Sequence, residues 1–229
     1  MRVAILSSGG KDSVYAHWWA TLQGWDVLSL ITCKIEKDDS LMFQIPGTEV
    51  VKHQSKVTDT NYLEFKLSGD SEIEINELEL HIKNQMSISN DLCGLEGLVT
   101  GALRSDYQKT RIEMMCENLG IRSLSPLWHN NPNSHMLNLV EDGFEIILSS
   151  VSCEGLDESW IGKLIDKENL DELSKISKKY RFNIDGEGGE FETSVINAPH
   201  FKSKIIMDGE KIWNNGRGYL RISSLKINN

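Results

Sequence analysis

The stretch ILSSGGKDSVYAHWW, Ile5 to Trp19, joins an apolar run to a helical pattern through two glycines and a lysine. Val3–Leu6 is continuously apolar, as expected of a strand buried on both faces of a parallel sheet. The residues from Lys11 to about Leu22 read as a helix closed by Gly24. Glycines at such a junction let the backbone approach an anion closely, and the amides that open the helix point toward it. Lys11 can neutralise a phosphate, and the Ser7 and Ser13 hydroxyls can donate hydrogen bonds to it. A Walker loop is excluded: Ile5 stands where its first glycine belongs, and Asp12 where Ser or Thr must follow the lysine. Asp12 is unfavourable beside a bare anion but suits a helix cap or a ligand on the magnesium side of a nucleotide. The plain alternative is a Gly-rich strand-to-helix turn that binds nothing.

Outward from this junction, strands and helices alternate. Trp25–Thr32, Tyr62–Leu67, Leu98–Leu103 and Arg122–Leu127 read as strands, and Glu72–Met86 as an acidic helix. Asp106–Leu119 is the clearest helix, with Ile112, Met115, Cys116 and Leu119 at three- and four-residue steps and Gly120 as its stop. This order predicts an α/β fold, a doubly wound parallel sheet whose ligand lies beyond the carboxyl ends of the strands. The polar turn from His129 to Asn133 divides residues 1–129 from a smaller α+β unit, 130–229. That unit should hold a strand (Glu145–Ser152), a helix (about Glu168–Tyr180), a glycine–glutamate loop, and a hairpin turning at Asp208-Gly209.

The 229 residues carry 24 lysines and arginines against 34 acids, a net charge of −10 that disfavours direct nucleic-acid binding. No apolar stretch is long enough to span a bilayer, and the start has too short an apolar run for a leader, so no membrane contact and a cytoplasmic location are expected. The four cysteines are dispersed without a Cys-x-x-Cys pair, which argues for reduced thiols.

Two further motifs add chemistry. In VTGALRSDYQKTRIE, Gly101 and Ser105 flank a strand end, and Arg104 and Arg111 can present forked guanidinium groups to phosphate. The alternative is an ordinary exposed helix face. In NIDGEGGEFET, Glu187, Glu190 and Glu192 crowd among glycines, which costs stability unless a cation or amine offsets the repulsion. The alternative there is a solvated acidic turn.

SGGKDS resembles the signature of PP-loop ATP pyrophosphatases, which cleave ATP to AMP and pyrophosphate. Together with GALRSDYQKTRIE, SPLW, SWIGK, GEGGEFET and NAPHFK, in order over nearly the whole chain, it is similar to the diphthine–ammonia ligase family. The resemblance implies an adenine nucleotide α-hydrolase-like fold and an ATP-dependent ligase that amidates diphthine on translation elongation factor 2 with ammonium. It implies that Ser7, Gly9, Gly10, Lys11, Asp12 and Ser13 hold ATP phosphates, with magnesium on the Asp12 side. Gly101, Ser105, Tyr107, Gln108 and Arg111 would shape the nucleotide cleft. Lys11, Glu187, Glu190 and Glu192 would be catalytic, Glu190 at the centre of the acidic cluster. No glutaminase module is recognisable, so free ammonium is the implied nitrogen source. A ligase amidating a small carboxylic acid and a non-catalytic ATP sensor are the rival readings. A homo-oligomer is compatible with the sequence.

Overall fold

Five strands, β1 (Arg2–Leu6), β2 (Asp26–Ile35), β3 (Asn61–Leu67), β4 (Gly97–Val99) and β5 (Arg122–Leu124), form a wholly parallel sheet in the order β3-β2-β1-β4-β5. They come from a computed structural model that describes residues 1–35, 48–70, 73–88 and 91–228. The chain moves outward from β1 to β3, then returns to the other side of β1 for β4. The loops that follow β1 and β4 therefore diverge, and a crevice opens between them at the carboxyl edge.

Helices cover both faces, so the sheet is doubly wound. On one face α1 (Lys11–Leu22) and α2 (Val51–Val57) bring Ala16, Ala20, Val51 and Val57 against Val3 and Ile5. On the other, α3 (Glu74–Ile88) and α4 (Asp106–Leu119) set Leu78, Ile82, Ile112 and Met115 against Ala4. Alternate residues of β1 thus feed opposite cores, which explains its unbroken apolar sequence. Ser105 caps α4 by accepting from the Gln108 amide, and Gly120 ends it at φ +69°. The Glu72 start expected for α3 lies outside the described residues; the helix opens at Glu74. β4 and β5 stop at Val99 and Leu124, short of the expected Leu103 and Leu127, because the chain turns away at the crevice.

A second, antiparallel sheet has the order β7-β6-β9-β8, formed by β6 (Glu145–Val151), β7 (Phe191–Asn197), β8 (Ile205–Asn214) and β9 (Arg217–Ile227). Helices α5 (Pro132–Glu141) and α6 (Lys167–Tyr180) pack Leu139, Leu170 and Leu173 against Ile146 and Leu148. α5 is a helix where the sequence suggests only a polar turn. Asn131 accepts from the Ser134 amide at 3.1 Å, and Pro132 occupies the first turn, where its missing N–H costs nothing. The hairpin turns at Asn215-Gly216, both in the left-handed region (φ 49° and 80°), and not at Asp208-Gly209. Asp208-Gly209 is a bulge inside the hairpin, where a side chain on Gly209 would strike the Arg221 carbonyl and Leu220. Among the described residues no helix is long and apolar enough to cross a membrane.

Candidate active site

The loop between β1 and α1 is built from backbone constraints. Gly9 adopts φ +81°, and a side chain there would collide with Val50 and Val51. Its carbonyl accepts from the Val195 amide and from Gln54 Nε2, both at 3.0 Å, and Gln54 Nε2 also donates to the Val195 carbonyl at 2.9 Å. The Lys11 amide, one of the free donors that open α1, donates to Thr193 Oγ1 at 3.1 Å. Strand β7 of the second sheet therefore fastens the loop of the first. Gly10 stands at the N-cap of α1 without any side-chain cap, so Asp12 does not cap the helix.

Gly101, just past β4, is the opposite wall. A Cβ there would lie 2.5 Å from the Asp12 carbonyl carbon and 2.6 Å from the Ser13 nitrogen, both backbone atoms that cannot swing aside. Only glycine lets the two switch-point loops approach this closely. Between them and the glycine–glutamate segment lies a cavity of about 300 Å³, lined by Ser7, Gly10, Lys11, Asp12 and Ser13 from one side. Gly101 and Gln108 line it from another, and Glu187, Gly189 and Glu192 from a third.

Charge in this cavity is arranged as a chain. Lys11, only 5% exposed, places Nζ 2.9 Å from Asp12 Oδ2, and Asp12 Oδ1 lies 2.7 Å from Nε2 of the buried His135 on α5. Burial pulls the lysine's proton affinity down, but Asp12, with Asp185 and Glu192 behind it, more than reverses this and keeps Lys11 charged. Burial also raises the Asp12 carboxyl, yet Lys11 and His135 outweigh it and hold it below the usual range. Glu192 shows the reverse balance. Burial, aided by Asp12 and Glu187, raises it to about 7 against the opposing pull of Lys11. Glu187 is raised too, mainly by burial, although its Oε1 accepts from the Arg104 amide at 3.0 Å.

Arg104 makes a second tie. Its Nη1 lies 2.8 Å from Asp185 Oδ2, and its Nη2 donates to Asp185 Oδ1 at 2.9 Å. Asp185 is fully buried. The loop after β4 thus grips the start of the glycine–glutamate loop with both its backbone and its side chain.

Residues 1–123 match the diphthamide synthase N-terminal domain, and residues 131–227 match the diphthamide synthase C-terminal domain. The chain belongs to the diphthamide synthase family. Proteins named diphthine–ammonia ligase from Bos taurus and Homo sapiens are each 30% identical over 234 residues, covering 93% of this chain and 85% of theirs. One from Schizosaccharomyces pombe is 32% identical over 242 residues, covering 98% of this chain and 39% of its own. A solved structure described as a predicted subunit of tRNA methyltransferase from Methanocaldococcus jannaschii overlays 87% of this chain and 98% of its own. Its TM-score is 0.42 and its identity 15%, too loose a likeness to bear on function. Family membership makes the chain an ATP-dependent ligase enzyme of diphthamide synthesis.

Set against this family reading, the expected site residues divide. Ser7, Gly10, Lys11, Asp12, Ser13, Gly101, Gln108, Glu187 and Glu192 meet around one cavity, with Gly9 shaping the loop from behind. Ser105 is engaged as the α4 cap. Arg111 lies flat over the Tyr107 ring, 3.5 Å from its centre, and neither side chain lines the cavity. Glu190 also faces elsewhere. Its Oε1 accepts from the Asn183 amide and Nδ2, and its Oε2 from the Gly188 amide, each at 2.8 Å, so its carboxylate organises the loop from within.

His135, Asp185, Gln54 and Thr193 join the site without a sequence signal that marks them individually. Thr193 lies inside GEGGEFET, but a lone histidine on a polar helix and a glutamine on a short one carry no signal of their own. Among the described residues no group of three or more His, Cys, Asp or Glu could hold a metal ion alone. Magnesium carried by nucleotide phosphates needs only one or two protein carboxylates, and Asp12, Glu187 and Glu192 border this cavity.

Proposed function

We propose that the protein is an ATP-dependent diphthine–ammonia ligase that amidates the diphthine carboxylate of translation elongation factor 2. The observation that carries this reading is the meeting, in one cavity, of a charged lysine on a switch-point loop with two carboxylates from the glycine–glutamate segment. A carboxylate oxygen of the acceptor attacks the α-phosphorus of ATP, the bond to the β-phosphate oxygen breaks, and pyrophosphate leaves. Gly10, Lys11 and the amides at the start of α1 hold that leaving group, and the Ser7 and Ser13 hydroxyls donate to it. Magnesium, when present with ATP, neutralises phosphate charge. Gln108 and Gly101 border the nucleotide, while Ser105, Tyr107 and Arg111 support that wall from outside the cavity.

Ammonia then attacks the carbonyl carbon of the acyl adenylate, the added nitrogen loses a proton to solvent, and AMP departs with the electron pair of the broken carbon–oxygen bond. Ammonium must lose a proton before it can attack. Glu192 is suited to accept it, being ionised only above about pH 7 and placed beside the phosphate loop. Glu187 adds negative charge that attracts ammonium to the same corner. In this reading the unit from residue 130 onward presents the acceptor, and residues 1–129 activate it.

The test is incubation with ATP, magnesium, ammonium and elongation factor 2 bearing diphthine, with AMP, pyrophosphate and amide formation measured together. Stoichiometric AMP and amide are expected. ADP and phosphate as products, or a small carboxylic acid accepted in preference to the factor, would overturn the reading.

A further inference from the structure

Behind the cavity, the phosphate loop meets helix α5 of the second unit. His135 is 2% exposed and takes no part in the cavity lining, whereas its partner Asp12 does. The imidazole stands in the first turn of α5, where its own amide donates to the Asn131 carbonyl at 2.9 Å. The Tyr15 ring meets it edge to face, with centres 5.6 Å apart and planes at 83°. Tyr15 reaches on to the far end of α5, and its hydroxyl donates to Asp142 Oδ2 at 3.2 Å. Asp12 and Tyr15 lie one turn apart on α1, and His135 and Asp142 lie two turns apart along α5, so both ties join one face of each helix. The place of the imidazole relative to α1 is thereby fixed at two points.

Adjacent residues of a helix do not face one another, so α1 by itself does not supply the contact between Lys11 Nζ and Asp12 Oδ2. That contact depends on where the carboxylate is held. Lys11 takes Oδ2, and His135 takes Oδ1. A carboxylate only accepts, so Nε2 of His135 carries the hydrogen whatever the charge on the ring. Burial works against the Asp12 charge, but Lys11 and His135 outweigh it. A carboxylate bordering this cavity repels any phosphate that enters. With Oδ1 committed to a buried donor, the carboxylate cannot swing farther into the cavity. Released from that donor, it is free to rotate, to close on Lys11 with both oxygens, and to draw the ammonium group away from the phosphates.

We propose that His135 is a positioning residue for ATP cleavage: by fixing Asp12 Oδ1 it sets the direction in which Lys11 presents its charge to the nucleotide phosphates. The proposal rests on the preceding reading in one respect, that those phosphates enter beside Lys11. His135 acts through Asp12 and takes no proton in the reaction. Because α5 lies beyond residue 129, the second unit then shares in the activation of ATP as well as in presenting the acceptor. The competing account is that His135 only packs α5 against α1, and in that case any loss of activity follows the loss of stability.

The experiment follows ATP consumption with magnesium, ammonium and elongation factor 2 bearing diphthine, beside thermal unfolding, for His135→Leu, His135→Asn, His135→Gln and Tyr15→Phe. Leucine fills the space without a donor, asparagine is too short to reach Asp12, and glutamine carries an N–H near the place of Nε2. His135→Leu and His135→Asn should lower turnover about tenfold or more, toward the hundredfold that a displacement of about 1 Å can cost, with the KM for ATP within about threefold of the wild type. His135→Gln should restore most of the turnover. Tyr15→Phe cuts the other tie between α1 and α5 and should lower the melting temperature with turnover unchanged. In an Asp12→Ala background His135→Leu should cost no further turnover, since the residue it acts through is gone. The NMR signal of the Lys11 ammonium group, read without substrate, should move in His135→Leu and His135→Asn and stay in place in His135→Gln and Tyr15→Phe. Wild-type turnover in a folded leucine or asparagine variant overturns the proposal, as does a glutamine variant no better than asparagine, a loss that adds in full to that of Asp12→Ala, or an unmoved Lys11 signal. Lys11→Ala separates the two readings. ATP consumption indifferent to it removes the phosphate site and this proposal together, whereas a strong Lys11 effect beside indifferent His135 variants removes the role of His135 alone.

Discussion

Replacing Gly101 with alanine probes a close approach between two backbone segments. The new Cβ would sit 2.5, 2.6 and 2.8 Å from the Asp12 carbon, the Ser13 nitrogen and the Asp12 oxygen. Ordinary contact begins near 3.4 Å, so the loop after β4 and the start of α1 must separate by close to 1 Å. All three obstructing atoms belong to the backbone, and Gly9 and Lys11 are fastened to β7 on the far side, so little of this movement is free. Overpacking of this kind costs about 1–3 kcal/mol. For a chain of this size each kcal/mol lowers the melting temperature by roughly 2–4 °C, so a fall of about 2–12 °C is expected. The effect on rate should be larger, because a 1 Å displacement of positioned groups can cost about a hundredfold. Pyrophosphate release at saturating ATP, followed beside the melting curve, separates the two effects. Gly101→Ala with the wild-type turnover number would refute the reasoning, since the cavity walls would then tolerate a displacement that the coordinates forbid.

Lys11→Ala should reduce pyrophosphate formation about a hundredfold or more by removing the cation beside the leaving group, measured under single-turnover conditions. Arg104→Ala leaves the carboxylate of Asp185 buried and unpaired, which should cost about 3–5 kcal/mol, and a denaturant titration in which the variant matches the wild type would exclude the tie as a structural element. Turnover at fixed, limiting ammonium should rise with pH up to about 7 and bend there, where Glu192 becomes ionised, and Glu192→Gln should abolish that bend. Its folded value lies above the ordinary 4.5, so ionisation costs stability that is lost as pH climbs from about 4.5 to about 7; Glu192→Gln should therefore melt higher than the wild type at pH 8. Glu190→Gln should impair amidation by a different route, since glutamine keeps one acceptor oxygen and cannot accept from both Asn183 and Gly188. Faster proteolysis or amide exchange at residues 186–190 with ATP affinity preserved is the expected signature, and a loop as protected as the wild type would contradict it.

The parts of the fold legible in the sequence are those governed by neighbours along the chain. α1 and α4 cover the residues their patterns and following glycines predict, because helix ends are decided within a few residues, although the cap of α4 is Ser105 and α1 has no side-chain cap. The position of the hairpin is not legible, because Asp208-Gly209 and Asn215-Gly216 are equivalent turn signals and strand pairing selects between them. α5 is not legible although Asn131 and Pro132 form a regular helix start, since their polarity reads equally well as a linker. In the site, the phosphate loop and the acidic segment were both visible as motifs. Which way each glutamate points was not, since Glu190 and Glu192 differ only in that one precedes β7 and the other lies within it. His135 and Asp185 act through partners 123 and 81 residues away, and no local pattern records such a pairing.

The hydrogen bonds from β7 to the phosphate loop also set a rule for recombination. A chimera that keeps residues 1–129 and receives a foreign second half must resupply Thr193 Oγ1 and both main-chain groups of Val195 in register. Without them the Gly9 carbonyl, the Lys11 amide and the Gln54 side chain are left stranded inside the protein. Grafting a new second half therefore disturbs the loop between β1 and α1 before anything new can be bound. Change of specificity in this scaffold has to come by substitution within an intact chain, or by grafts that stop short of β7.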